Sequence, residues 1–462
     1  MVETVAAKNP LGTEPVGKLM VRYAIPSIIS IVVNSLYNMV DQVFIGQGVG
    51  YLGNAATNVI LPFATILMAL GMMIGDGTAS YMSLSLGKGK QKDASQCVGN
   101  AISLTVGSGI VLLILFEIFL EPLCRAFGAT DAALPYALEY GSIIVLGFPF
   151  AAMAAAFGSI IRADGRPRDS MIGLLIGCIT NMILDPVFIF VCHWGVAGAA
   201  WASIIGQFLN AAYFMGCLCR CQTVQPERRY FLLKFKTVRK ITMLGVSSFL
   251  TQVASVLVVV VMNNSLVIYG AMSKYGADIP LAALGITVKV SMLITGVALG
   301  IASGIQPLLG FNYGSGQYDR VKKAYKLAMV SCTAVLVLAF FIFQCWPEQI
   351  INLFGKESDL YREFAVKCFR IYLLACFMIG TTTVTGILFQ AIGRPILAAF
   401  LSLSRQVLFL VPAMLVLGAL CGVEGVLWAG PFSDGLSGVL SLVVVRIYWN
   451  RIFKEQEIRV NV

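Results

Sequence analysis

Residues 34–46 read NSLYNMVDQVFIG, and Tyr37, Asn38 and Asp41 follow Asn34 by three, four and seven positions. On an α-helix that spacing gathers the four polar side chains into one stripe. A second stretch, TNMILDPVFIF at 180–190, sets Asn181 and Asp185 four apart and follows the acid with Pro186, which removes a backbone hydrogen bond just beyond it. Ser203, in the next apolar segment, is placed to join them. Both acids lie inside segments apolar enough to cross a bilayer, where a charge costs about 3 kcal/mol or more and usually faces a cavity and works. Two carboxylates at one depth in a dry site do not both ionise cheaply, so the pair makes a proton-binding site. The same carboxylates with Asn181 and backbone oxygens also suit a hard cation such as Na⁺, and a hydrogen-bonded acid that pins helix packing is the plain alternative for each.

The elements that hold these residues follow from composition. Of 462 residues 58% are hydrophobic and 12% charged, against about 25% charged in an average soluble protein. Mean hydropathy is +0.84. Apolar windows of about 20 residues fall at 19–46, 53–86, 94–120, 137–161, 169–192, 196–219, 241–269, 281–310, 326–346, 364–391, 396–419 and 426–449. The fold class is therefore an all-α membrane protein of twelve transmembrane helices, counted below as spans 1 to 12. Asp41 and Asp185 lie near the outer ends of spans 1 and 5, at matching depth.

Loops after even-numbered spans carry the positive charge, as GKGKQKD, RADGRPRD, RCQTVQPERRYFLLKFKTVRK and YDRVKKAYK show. Lys and Arg resist translocation, so that side is cytoplasmic, both termini are inside, and the location is the inner (cytoplasmic) membrane. The net charge of +10 is confined to these alternate loops and does not form a nucleic-acid surface. Met1 to Gly17 is polar and mixed, with no cleavable signal pattern. Cys217, Cys219 and Cys221 alternate around a helix and His193, the single histidine, lies across the membrane, so no metal site and no disulfide framework are expected. One outer-loop histidine, no Gly-Lys-Ser/Thr phosphate loop and no soluble domain argue against an enzyme. No cofactor is expected beyond H⁺ or Na⁺ as a coupling ion.

The chain also repeats. GVAGAAWASIIGQ at 195–207 returns as GVEGVLWAGPFSD at 422–434, DGRP at 164–167 as IGRP at 392–395, and GDGTASYMSLSLGKG at 75–89 more faintly as GIASGIQPLLGFNYG at 300–314. Two pseudo-symmetric six-helix bundles around a central cleft follow, 1–219 and 241–462, with 220–240 as a cytoplasmic linker and cargo bound between the halves. The second half does not copy the acids: Asp41 aligns near Met262, with Asn263 and Asn264 adjacent, and Asp185 at Pro412 or Ala413. Coupling chemistry is thus expected in the N-terminal half, and a gate and binding wall in the other. Asn38, Met153, Phe157, Gln252 and Gln306 are candidate cargo contacts. Asp76, Lys289, Arg405 and Asp434 are further polar residues within spans, each open to a structural or a functional reading.

YNMVDQVFIG in span 1, GKGK after span 2, RADGRP before span 5, NMILDP within it, GVAGAAWAS opening span 6 and QPLLGFNYG closing span 8 together resemble the multidrug and toxic compound extrusion (MATE) transporters. The bacterial branch that includes DinF-like and MepA-like proteins is the nearest in pattern. The resemblance implies secondary active multidrug efflux: export of organic, mostly cationic amphipathic compounds across the bilayer in exchange for H⁺ or Na⁺ by alternating access, and we take the chain as a monomer. Asp41, Tyr37, Asn181 and Asp185 match the family's cation-coupling cluster, with Ser203 where a hydroxyl contributes and Asn34 on the same stripe. Spans 7 and 10 lack the acids of NorM-like members, which favours protons. A flippase of lipid-linked saccharides, sharing the two-bundle plan, is the alternative; its cavity is expected to be strongly basic.

Overall fold

A computed structural model describes residues 9–49, 51–127, 129–131, 133–224, 227–276, 278–352 and 358–460. The chain is helical almost throughout. Spans 1 to 3 are Val16–Gly48, Tyr51–Gly87 and Gln91–Ile118. Span 4 is a bent pair, Leu134–Leu146 and Phe148–Ala163, with 55° between the segments at Gly147. Spans 5 to 10 are Pro167–Val191, Gly195–Cys219, Phe235–Ala271, Asp278–Gly314, Tyr318–Cys345 and Asp359–Ala391. The helical stretch Pro395–Trp449 runs 55 residues, or about 80 Å at 1.5 Å per residue, more than twice the hydrocarbon thickness. It is two spans, because Gly422 has φ 64 and ψ −145. A Cβ built on Gly425 would lie 1.9 Å from the Leu417 carbonyl oxygen, so the chain folds back there. Those dihedrals belong to a region that residues with a Cβ scarcely enter.

The halves resemble each other in backbone as well as in sequence. Left-handed glycines recur as Gly89 and Gly316, Gly165 and Gly393, and Gly195 and Gly422, at separations of 227, 228 and 227 residues. Each pair ends or begins equivalent spans. The seventh span begins at Phe235, so residues 235–240, read as linker from sequence, are its first turns. The remaining linker is strapped to span 3: Asn100 Nδ2 donates to the carbonyls of Tyr230 at 2.8 Å and Leu232 at 3.0 Å, while its Oδ1 accepts from the Lys234 amide at 2.7 Å.

Apolar side chains face outward, as a bilayer solvent allows. On span 3, Ile110, Val111, Ile114, Leu115 and Ile118 are all exposed, forming one continuous face. Burial in this chain therefore reports contact between helices.

The two halves meet at the end that carries the basic loops. Span 8 presents Gly296, Gly300 and Gly304 four apart; a Cβ on them would fall within 2.9 Å of Ile31, Ile28 and Ala24 of span 1. Spans 2 and 7 cross where a Cβ on Gly77 would sit 2.1 Å from the Ile241 carbonyl oxygen and one on Gly245 1.8 Å from that of Met73. Small residues let backbones approach in this way where no hydrophobic effect drives helices together. Polar bonds flank the crossing. Asp76 accepts from Ser159 Oγ of its own half at 2.8 Å and from Ser248 Oγ of the other at 2.7 Å. The Gln390 amide donates to Ser248 at 3.3 Å, and Lys240 Nζ reaches the Tyr81 hydroxyl at 3.1 Å. Every such glycine approach between the halves, among the described residues, lies from mid-helix toward the basic end. The cleft thus opens at the opposite end.

Replacing Gly245 by Val forces spans 2 and 7 apart at this crossing. Overpacking of this kind costs about 1–3 kcal/mol, and a lowered thermal midpoint in detergent, with a smaller loss for the outward-facing substitution Val330→Ala, is the expected result. Val330 is 58% exposed.

Candidate functional site

The cluster is assembled by three spans of the N-terminal half. Span 1 passes unbroken through Pro26, and the Ser30 hydroxyl donates to the Pro26 carbonyl at 2.8 Å. Its far end is held against span 5 because Gly48 leaves room for Ile189: a Cβ there would lie 2.1 Å from Ile189 Cγ2. Span 5 changes pitch directly after Asp185-Pro186, Val187–Val191 being a π-helical turn. Proline supplies no amide hydrogen, and the widened turn re-forms the hydrogen bonding beyond it. Asp185 is completely buried, Asn181 and Ser203 nearly so, and Asp41 is half-buried.

The two carboxyl groups face each other within hydrogen-bonding reach. Asp41 Oδ1 is buried and receives no hydrogen bond from any fixed donor. The Asn181 amide, oriented with its nitrogen toward the acid, donates to Asp185 Oδ2 at 2.7 Å, and its carbonyl accepts from the Ser203 amide and hydroxyl, both at 3.1 Å. The Tyr37 hydroxyl lies beside Ser203. The result is one chain of contacts, Tyr37–Ser203–Asn181–Asp185–Asp41. Two carboxylates that touch without a cation repel; a single proton between them turns the contact into a hydrogen bond. The chemistry this arrangement offers is reversible binding of a small cation, H⁺ or Na⁺.

The residues chosen from sequence separate into groups. Asp41, Asp185, Asn181, Ser203 and Tyr37 lie together. Asn34 shares the helix, but its side chain makes none of the cluster's hydrogen bonds; its carbonyl accepts from Asn38 Nδ2 at 2.7 Å. Sequence reasoning missed Tyr140 of span 4, which is buried within electrostatic reach of Asp41, Tyr37 and Asp185. The signal was depth: Tyr140 follows the start of its span by as many residues as Asp185 precedes the end of its own.

The MatE family model matches residues 26–187 and again 251–415, once in each half. The chain belongs to the MatE family. Among curated relatives, the multidrug export protein MepA of Staphylococcus haemolyticus (strain JCSC1435) is 24% identical over 440 residues, covering 94% of each chain. MepA of Staphylococcus aureus (strain MSSA476) is 23% identical over 440 residues, covering 95% of each. Among solved structures, a MATE protein in complex with MaL6 superposes with a TM-score of 0.90 at 22% identity, covering 96% of this chain and 99% of that one. An outward-facing multidrug resistance MATE transporter gives 0.89 at 22% identity, covering 98% of each. These likenesses establish the MATE fold: two six-helix bundles around a central cleft.

Within this MATE fold the candidate cargo contacts fare differently. Phe157 is wholly buried in the helix core and has no surface to offer in this conformation. Gln306 is also buried; its amide donates to Ser80 Oγ at 3.0 Å, so it belongs to the seam between the halves rather than to a cavity wall. Met153 is half-buried against the core. Asn38 is exposed and Gln252 half-exposed. In the second half Met262 is buried, while the span 11 residue Arg405 closes on Asp434 at 2.6 Å. That pair leaves no free acid there comparable to Asp41, and span 11 takes a π-helical turn over Ser404–Leu410 where it forms.

Removing the hydroxyl in Ser203→Ala leaves the Asn181 carbonyl with one donor, the Ser203 amide. A buried hydrogen bond is worth about 1 kcal/mol, so the variant is expected to unfold at lower temperature in a fluorescence thermal-shift assay, while Ser203→Thr stays close to the parent.

Proposed function

We propose that the chain is a secondary active exporter of amphipathic organic compounds that exchanges cargo for protons bound at Asp41 and Asp185. The observation that carries this reading is the buried contact between the two carboxyl groups, with one Asp41 oxygen lacking a fixed donor. The MepA relatives are multidrug export proteins by name, which supports drug-like cargo. The Lys/Arg-rich end is assigned to the cytoplasm and the cleft mouth to the outside, with the bacterial cytoplasmic membrane as the location. The export role leaves no chemical step for the chain to catalyse.

In this reading the outward-open cleft gives protons access to the acid pair. Binding one removes the repulsion between Asp41 and Asp185 and tightens span 1 on span 5. Span 1 also carries Ala24, Ile28 and Ile31, the residues that meet the glycines of span 8. A shift of span 1 at its far end therefore acts on the seam, with Pro26 as the point where the helix yields. Facing the cytoplasm requires the seam to part, which breaks Asp76–Ser248, Gln306–Ser80 and Lys240–Tyr81. Protons and cargo then have to favour different states of the cleft, and that difference is the coupling free energy.

Asp41→Asn keeps size and hydrogen bonding but cannot exchange a proton. In proteoliposomes with an imposed proton gradient, uphill cargo movement is expected to fall to background with the purified yield unchanged. Driving by a sodium gradient alone, or wild-type rates in the variant, would overturn the proton assignment.

A further inference from the structure

The seam fixes which helix faces look into the cleft. Gly296 of span 8 lies against Ile31 of span 1, and the two helices run antiparallel. Two turns further toward the cleft mouth, seven residues along each helix, the same faces carry Lys289 and Asn38. Seven residues turn an α-helix through only about 20° beyond a whole number of turns. Both side chains are exposed, and they continue the stripes by which the halves touch. On span 8 this stripe also holds Gly285, with no atom within 4 Å of its Cβ position, and Met292, 63% exposed. On span 1 it also holds Gln42, exposed as well.

Spans 2 and 7 obey the same rule. Gly245 lies against Met73, and seven residues toward the mouth the facing positions are Gln252 and Ile66, both half-buried. The wall so defined contains amides, apolar side chains and the ammonium of Lys289. Lys289 makes no ion pair among the described residues. Four acids within the spans are engaged elsewhere: Asp41 and Asp185 with each other, Asp76 with two serines, Asp434 with Arg405.

From this placement we propose that Lys289 is a specificity-determining residue of the cleft, and that the preferred cargo carries an anionic group, as in a zwitterionic or anionic amphiphile, beside its apolar body. The proposal rests on the export reading and narrows its substrate class away from simple organic cations. A cargo carboxylate, sulfonate or phosphate meets the Lys289 ammonium, with Asn38 and Gln252 as neutral hydrogen-bond partners. An isolated cation in a half-enclosed cleft attracts an anion more strongly than in bulk water, and repels a cationic compound by the same amount.

Binding separates this proposal from the transport mechanism. The dissociation constants of a zwitterionic fluoroquinolone, an anionic sulfonated dye and cationic ethidium are measured on the purified full chain in detergent, by fluorescence polarisation, for wild type, Lys289→Met and Lys289→Arg. Lys289→Met is expected to weaken the anionic dye and the fluoroquinolone at least tenfold and to leave ethidium unchanged or tighter, with Lys289→Arg within about threefold of wild type for all three. Equal effects on dye and ethidium, or no effect on either, would overturn the proposal. Proton-driven efflux of the same probes is then followed in proteoliposomes. Lys289-dependent binding without proton-driven transport would sink the export reading and leave the cleft assignment standing.

Discussion

An ionised carboxylate in a hydrocarbon layer has no water to solvate it, and two such groups in contact add repulsion to that cost. Everything at the mouth-side end of the N-terminal half answers this constraint. Asp185 is enclosed and receives a hydrogen bond from Asn181, whose own carbonyl is held by Ser203. Asp41 has only its neighbouring acid on one side. Two facing carboxyl groups call for a cation to offset their charge, which is the role the proposed function gives to a proton. Pro186 and the π-helical turn after it mark the point where span 5 departs from regular α-helix, directly beyond the acid.

Span 1 connects this site with the seam. Its mouth-side end meets span 5 through Gly48, and its basic-end half meets span 8 through Ala24, Ile28 and Ile31. Packed helices resist continuous deformation, so a change of spacing between spans 1 and 5 is transmitted along a rigid element rather than dissipated. The seam itself combines close glycine contacts, which favour one fixed crossing, with a few hydrogen bonds such as Asp76–Ser248 that separate without stranding a charge: Asp76 keeps Ser159.

Much of this was legible in the chain. Hydropathy and the charge of alternate loops located the spans, and the offset of 227 and 228 residues reappears as pairs of left-handed glycines. The Asp41–Asp185 pairing followed from depth, because helices have a fixed rise. What escaped were features set by neighbours. Gln306 beside Pro307 reads as a cavity residue until Ser80, 226 positions away, takes its amide. Phe157 sits on the fully buried face of its helix, which an aromatic spaced at helical intervals does not reveal. The linker boundary was misplaced by six residues, because Lys and Arg on the first turns of span 7 look like loop composition.

The two halves show how a repeated fold divides its labour. Both keep a polar pair within the membrane, but the N-terminal pair is acid with acid and the C-terminal pair is Arg405 with Asp434, joined at 2.6 Å. An ion pair of opposite charges is neutral as it stands and has nothing to gain from a proton; two acids are not. On the proposed reading the acid pair of the N-terminal bundle carries the coupling, and the other bundle is free to place a basic residue, Lys289, in the cleft, where it acts on cargo rather than on the coupling ion.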